Sequence, residues 1–246
     1  MNRHTRVALV AMGVLISAVS FNPVYAQETN SFEASNQNDD LDDNVAGAGR
    51  LEITVTNLTR GQQFTPILVA THKRGVKIFE AGQPASPQLA TLAEEGNTGP
   101  LAALLSGNPD IGSVVTGSGL TNPGQSTTIV VERRGRFRNV TVAAMLIPTN
   151  DAFFSVMDVT GPRGRQEIIL FSPAYDAGSE RNDELCESIP GPAFGECGGA
   201  GGGAKVGQGE GFVHISSGIH GIGSFKPNNR DWRNPVARIL IKRMSE

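Results

Sequence analysis

From residue 50 onward the hydrophobic and polar positions alternate with a period of two. In LEITVTNLT, Leu51–Thr59, one face collects Leu51, Ile53, Val55 and Asn57 and the other Glu52, Thr54 and Thr56, the pattern of a half-buried strand. Runs of the same kind between turn residues predict strands at Thr65–His72, Val76–Phe79, Ser126–Glu132, Arg138–Ile147, Phe153–Val159, Glu167–Phe171, Gly211–Ser216 and Val236–Lys242. Helical spacing is confined to Pro87–Glu95, through Leu89, Leu92 and Ala93, and to Pro100–Leu105, through Leu101, Leu104 and Leu105. Strands without regular intervening helices predict an all-β antiparallel sandwich with one or two short helices, rather than a doubly wound parallel sheet.

The pattern before residue 50 is different. Arg3, His4 and Arg6 precede the apolar run Val7–Val19, and Val24–Ala26 supplies a small residue before Gln27, as a signal peptidase requires. Residues 1–26 are therefore expected to be a signal peptide cleaved at Ala26/Gln27, with the product secreted or periplasmic. Residues 27–49 are polar and carry the acidic knot Asp39–Asp43, too little apolar surface to offset ordering entropy, and are expected to be a disordered acidic linker. The folded domain is expected to span 50–246.

Composition narrows the class. A chain of 246 residues, 39% hydrophobic, can bury one substantial core, and 30 glycines beside only 6% aromatics suit many turns. The formal net charge of −3 argues against a nucleic-acid partner. The two cysteines, Cys186 and Cys197, read as a disulfide in an exported chain, since they lack the CxxC spacing and have no histidine nearby in sequence. The glycine-rich run Gly198–Gly211 lacks the GK[ST] of a phosphate loop and reads as a flexible connection. His214 and His220 have the wrong spacing for HExxH and read as hydrogen-bonded residues at a sheet end, and no GxSxG joins a strand to a helix. Asn57 and Asn139 begin glycosylation sequons but fall in predicted strands, where modification is not expected.

The chemistry gathers in SPAYDAGSERNDE, Ser172–Glu184, which places Asp176, Glu180, Asp183 and Glu184 around Gly178 after an apolar run. Asp176 and Glu180 converge only if something positive offsets their repulsion, and a hard divalent cation would do so. Calcium takes six to eight oxygens, so a further loop must contribute, and Asp151 in PTNDAFF, also at a turn before a strand, is the best donor. The alternative is a solvated acidic loop paired with Arg181.

LEITVTNLT, QFTPILVATH, PTNDAFFSV, SPAYDAGSERNDE and FVHISSGIHG…DWRNPVARILI together resemble the spondin N-terminal domain in the form found in bacterial exported proteins. The resemblance runs from about Arg50 to Met244, and its most specific part is YDAGSE. It implies a sandwich of the calcium-dependent membrane-binding type holding one calcium ion (Ca2+) through Asp151, Asp176 and Glu180. Where the family often has tryptophan after the first aspartate, this chain has Ala152 and then Phe153, and its last acid is Glu180 where aspartate also occurs. The thrombospondin-type repeats of the animal members are absent from the sequence.

The resulting expectation is a calcium-binding module, not an enzyme, that binds an extracellular or cell-surface ligand. A calcium-mediated membrane-surface binder, with Arg181, Phe153 and Phe154 as loop-tip candidates, and a secreted hydrolase using a carboxylate pair are the alternatives.

Overall fold

The computed structural model describes residues 49–244 except 193, 200 and 206. The expected signal segment and the linker, save Gly49, lie outside the described residues. Eleven strands are present among the described residues: β1 (Gly49–Asn57), β2 (Gln63–Phe64), β3 (Leu68–His72), β4 (Ile111–Thr116), β5 (Ser126–Arg133), β6 (Asn139–Ile147), β7 (Ala152–Thr160), β8 (Glu167–Ser172), β9 (Ala174–Asp176), β10 (His214–Ile215) and β11 (Ala237–Arg243). Among the described residues three short α-helices join them: α1 (Pro87–Glu95), α2 (Gly99–Ser106) and α3 (Pro227–Arg230).

The strands form two antiparallel sheets, in the orders β5-β1-β11-β8 and β10-β9-β7-β6-β3-β4, with β2 also paired to β6. In β1 the alternation of the sequence becomes alternation of burial: Leu51, Ile53, Val55 and Asn57 face inward between β5 and β11. Leu51, Ile53 and Val55 join Val69, Val142, Ala144 and Phe154 of the second sheet in the main core. Removing such side chains from water is the dominant favourable contribution, about 1.5–3 kcal/mol for each fully buried aliphatic or Phe residue.

A second apolar layer lies on the outer face of the larger sheet. Leu68, Ala70, Ala143 and Phe153 pack there against Leu89, Leu92 and Leu101 of the two longer helices. β6 is consequently buried along its whole length, which explains its near-continuous apolar sequence. Ser86 caps α1 by accepting from the Leu89 amide, and Gly96, at φ +66°, ends it in the left-handed region.

Val76–Phe79, expected as a strand, is irregular. Phe79 instead plugs the outer layer, its ring centroid 5.2 Å from that of Phe153 and 4.9 Å from that of Tyr175. Thr65–His72 shortens to β3 and Gly211–Ser216 to the two residues of β10, while β2, β4 and β9 lie outside every expected strand. β9 is three residues between Pro173 and Ala177, too short to produce a periodic signal, yet it carries Tyr175 and Asp176.

Cys186 and Cys197 form a disulfide, as proteins of oxidising compartments do. The loop it closes is held further by Arg230, which donates two 2.8 Å bonds to Glu196 and lies over the Phe194 ring. The sequon asparagines Asn57 and Asn139 are buried and spend their amides on Gln62, Thr121 and Asp158.

Candidate metal centre

The β6–β7 turn and β9 bring the acids to one end of the larger sheet. Thr149 organises the turn, its hydroxyl accepting from the Ala152 amide at 3.1 Å, so β7 begins immediately after Asp151. Ala152 then pairs with Asp176 across the β7–β9 ladder, and the Ala177 amide donates to the Asp151 carbonyl at 3.1 Å. The chain leaves β9 through Gly178, at φ +63°, whose amide donates to Asp176 Oδ1 at 2.8 Å. That turn aims the Ser179 and Glu180 amides back at Asp151 Oδ2, at 2.8 and 3.0 Å.

All three acids are buried: Asp151 is 0% exposed, Glu180 1% and Asp176 2%. The solvated-loop alternative is overturned by this burial. Asp151 and Glu180 are each anchored through one oxygen that leaves the other to spare, whereas both oxygens of Asp176 accept hydrogen bonds. Asp151 Oδ2 takes three donors, while its enclosed Oδ1 takes none; Glu180 Oε1 takes the Lys205 amide at 2.9 Å, while its enclosed Oε2 takes none. Asp176 Oδ2 accepts from Asn182 at 2.9 Å.

Burial and the neighbouring Asp176 charge push Asp151 up to about 8. Burial likewise pushes Glu180 up to about 7 and raises Asp176. Unpartnered buried carboxylate oxygens are costly, and buried charges normally occur paired or on metals. Carboxylate oxygens are donors of the kind that a hard cation takes.

Asp183 and Glu184 have other work. Burial opposes the charge of Asp183, but the Leu185 amide, the Ser188 hydroxyl and the Asn150 side chain hold its carboxyl below the usual range. Glu184 accepts from the Gly221 and Ile222 amides at 2.8 and 3.1 Å and from the His220 amide, stitching a distant loop to this one.

Several nearby residues escaped sequence reasoning. Glu94 of α1 is buried, its pKa is raised by that burial, and its Oε1 is unpartnered. Among the described residues, the trio of acids or histidines whose ligand atoms all lie within 4.8 Å of one another is Asp176, Glu210 and His214, not Asp151, Asp176 and Glu180. No sequence spacing signals either Glu94 or Glu210, because both reach the site through tertiary packing.

The glycine-rich run, expected as a loose connection, packs against the acidic loop. Gly207 and Gly211 donate to the Ser179 and Gly178 carbonyls at 3.0 and 2.8 Å, and Gln208 bridges to Glu180. A side chain at Gly209 would lie 2.4 Å from the Gly178 carbonyl oxygen, so glycine there permits backbone to meet backbone.

The Spondin_N family model matches residues 56–160. Over that stretch the chain is similar to the spondin N-terminal domain. The match begins inside β1 and ends with β7, so it includes Asp151 and stops before Asp176 and Glu180. No curated protein matches the chain. The spondin likeness and the two-sheet architecture agree with what the sequence motifs implied.

Proposed function

We propose that this spondin-like protein is an exported calcium-binding module that acts by attachment to an extracellular or cell-surface ligand. The observation that carries the reading is the pair of enclosed, unpartnered oxygens, Asp151 Oδ1 and Glu180 Oε2, on two loops that hydrogen bonds already hold together. One Ca2+ bound by Asp151, Asp176 and Glu180, with carbonyls and water completing the shell, offsets two of the three carboxylate charges and cross-braces the loops. The disulfide and the signal-like residues 1–26 support export to an oxidising compartment.

Burial of all three acids also supports binding over catalysis, because a general acid must reach its substrate.

A membrane-surface role is favoured by a different feature than expected. Phe153 and Phe154 are core residues and cannot act as loop tips. Phe212 and Ile222, 43% and 70% exposed, follow or contact the acidic loop and place apolar side chains in solvent there. No helix among the described residues is long and apolar enough to cross a membrane.

Thermal melting of the exported protein in calcium, magnesium or chelator tests the module, and a pull-down from cell-surface extract with and without chelator tests its role. Calcium should raise Tm more than magnesium does, because magnesium demands a tighter octahedral shell and keeps its waters. Capture of a surface component should require calcium. Liposome sedimentation that depends on calcium while the extract yields nothing would move the assignment to the membrane reading.

A further inference from the structure

Beside the calcium ligands lies an arrangement that the calcium reading leaves unexplained. His214, on β10, pairs with Asp176 in the β9–β10 ladder, and Glu210 precedes it by four residues at the end of the glycine-rich run. His214 Nδ1 sits 3.0 Å from the Ile215 carbonyl, an acceptor only, so that nitrogen carries a proton. In the neutral ring this leaves the lone pair on Nε2. That atom is enclosed and without a hydrogen-bond partner, and it faces Asp176 Oδ1 at 3.5 Å and Glu210 Oε2 at 3.6 Å.

These separations are long for a charge-assisted hydrogen bond, which closes to about 2.7–2.9 Å. They suit metal ligands instead. Two donor atoms each about 2.1 Å from a tetrahedral zinc ion are about 3.4 Å apart. The three ligand atoms also lie within 4.8 Å of one another. The ring is oriented from behind by a backbone carbonyl, as metal-bound histidines usually are. Glu210 and His214 are partly exposed, their side chains at 40% and 26%, so an ion can enter and water can occupy the fourth position.

We propose that Asp176, Glu210 and His214 form a second cation site, for a transition-metal dication of the zinc class, adjoining the calcium site through Asp176. Nitrogen ligation separates the two: calcium binds oxygen donors, whereas zinc takes imidazole and carboxylate together. The proposal stands on His214 and Glu210, which the calcium reading does not use, so either can fail without the other.

The test is titration of tag-free, metal-stripped protein with zinc chloride by calorimetry, and with cobalt(II) as a spectroscopic probe. One zinc should bind, and cobalt should show the visible absorption of a low-coordinate nitrogen and oxygen site. His214→Ala and the more exposed Glu210→Gln remove direct ligands and should each weaken zinc by at least about 10- to 100-fold, the loss that supporting groups alone produce. Both variants should keep the calcium-dependent rise in Tm. Asp151→Asn should lose that rise and keep zinc. His220→Ala, whose ring bonds only to Ser217 among the described residues, serves as the control and should bind zinc normally. Absence of zinc binding by the wild type, or binding unchanged in both His214→Ala and Glu210→Gln, would overturn the proposal. So would a loss that follows His220 instead.

Discussion

The backbone amide of Glu180 donates to Oδ2 of Asp151 at 3.0 Å, so the acid of one loop seats the acid of the other. Asparagine at 151 retains an oxygen for the Ser179 and Glu180 amides while replacing the unpartnered oxygen with a donor facing acids. At pH 8.5 in chelator, Asp151→Asn should therefore be more stable than the wild type by about 1–3 kcal/mol, the scale of one unsatisfied buried group. Urea denaturation measures it. A destabilised metal-free variant would contradict the account of the cluster.

The pH dependence of the metal-free protein has a definite sign. Asp151 at about 8 and Glu180 at about 7 hold protons in the folded state that the unfolded chain releases near pH 4. Their contribution to stability is complete below the unfolded values and is lost as pH rises through 7 and 8. In chelator the urea midpoint should fall between pH 5.5 and 8.5, whereas saturating calcium, by replacing those protons, should flatten or reverse the fall. A chelator profile that rises over this window would exclude the buried-acid description.

Gly178 tests whether loop packing shapes the site. At φ +63° any side chain is strained, and a Cβ there would also lie 2.2 Å from the Phe212 carbonyl oxygen. Gly164, at φ +60° with nothing within 4 Å, isolates the strain alone. Gly164→Ala should cost about 1–2 kcal/mol, the price of a left-handed residue, and leave calcium affinity intact. Gly178→Ala should cost more and weaken calcium. Equal effects of the two substitutions on melting and on calcium titration would contradict a role for the packed glycine-rich run.

Much of this architecture is legible because burial imposes a period. Leu51, Ile53 and Val55 announce β1, and Leu89, Leu92 and Ala93 announce α1, since in each case one face alone meets the core. Val76–Phe79 misleads because Phe79 is apolar for plugging rather than for pairing, and a short apolar run does not distinguish the two. β9 is too brief for any period to register. Within the site, Asp176 and Glu180 stand out by spacing around Gly178, and Asp151 by its place at a turn before a strand. Glu94, Glu210 and the role of His214 do not, because their approach depends on how helix α1 and the glycine-rich run fold back over the acidic loop.

The central claim is that Asp151, Asp176 and Glu180 hold one calcium ion, and direct counting of bound calcium by calorimetric titration tests it most closely. The wild type should bind one Ca2+ with a dissociation constant of about 10⁻⁴ to 10⁻³ M, the range of extracellular modules, or tighter given loops already hydrogen-bonded to each other. At one hundred times that constant the fold should gain about 2.7 kcal/mol. Asp176→Asn should abolish binding, and Asp183→Asn should preserve it, because the Asp183 oxygens are committed to Leu185, Ser188 and Asn150. No heat of binding, with identical melting curves in calcium and chelator, would contradict the claim.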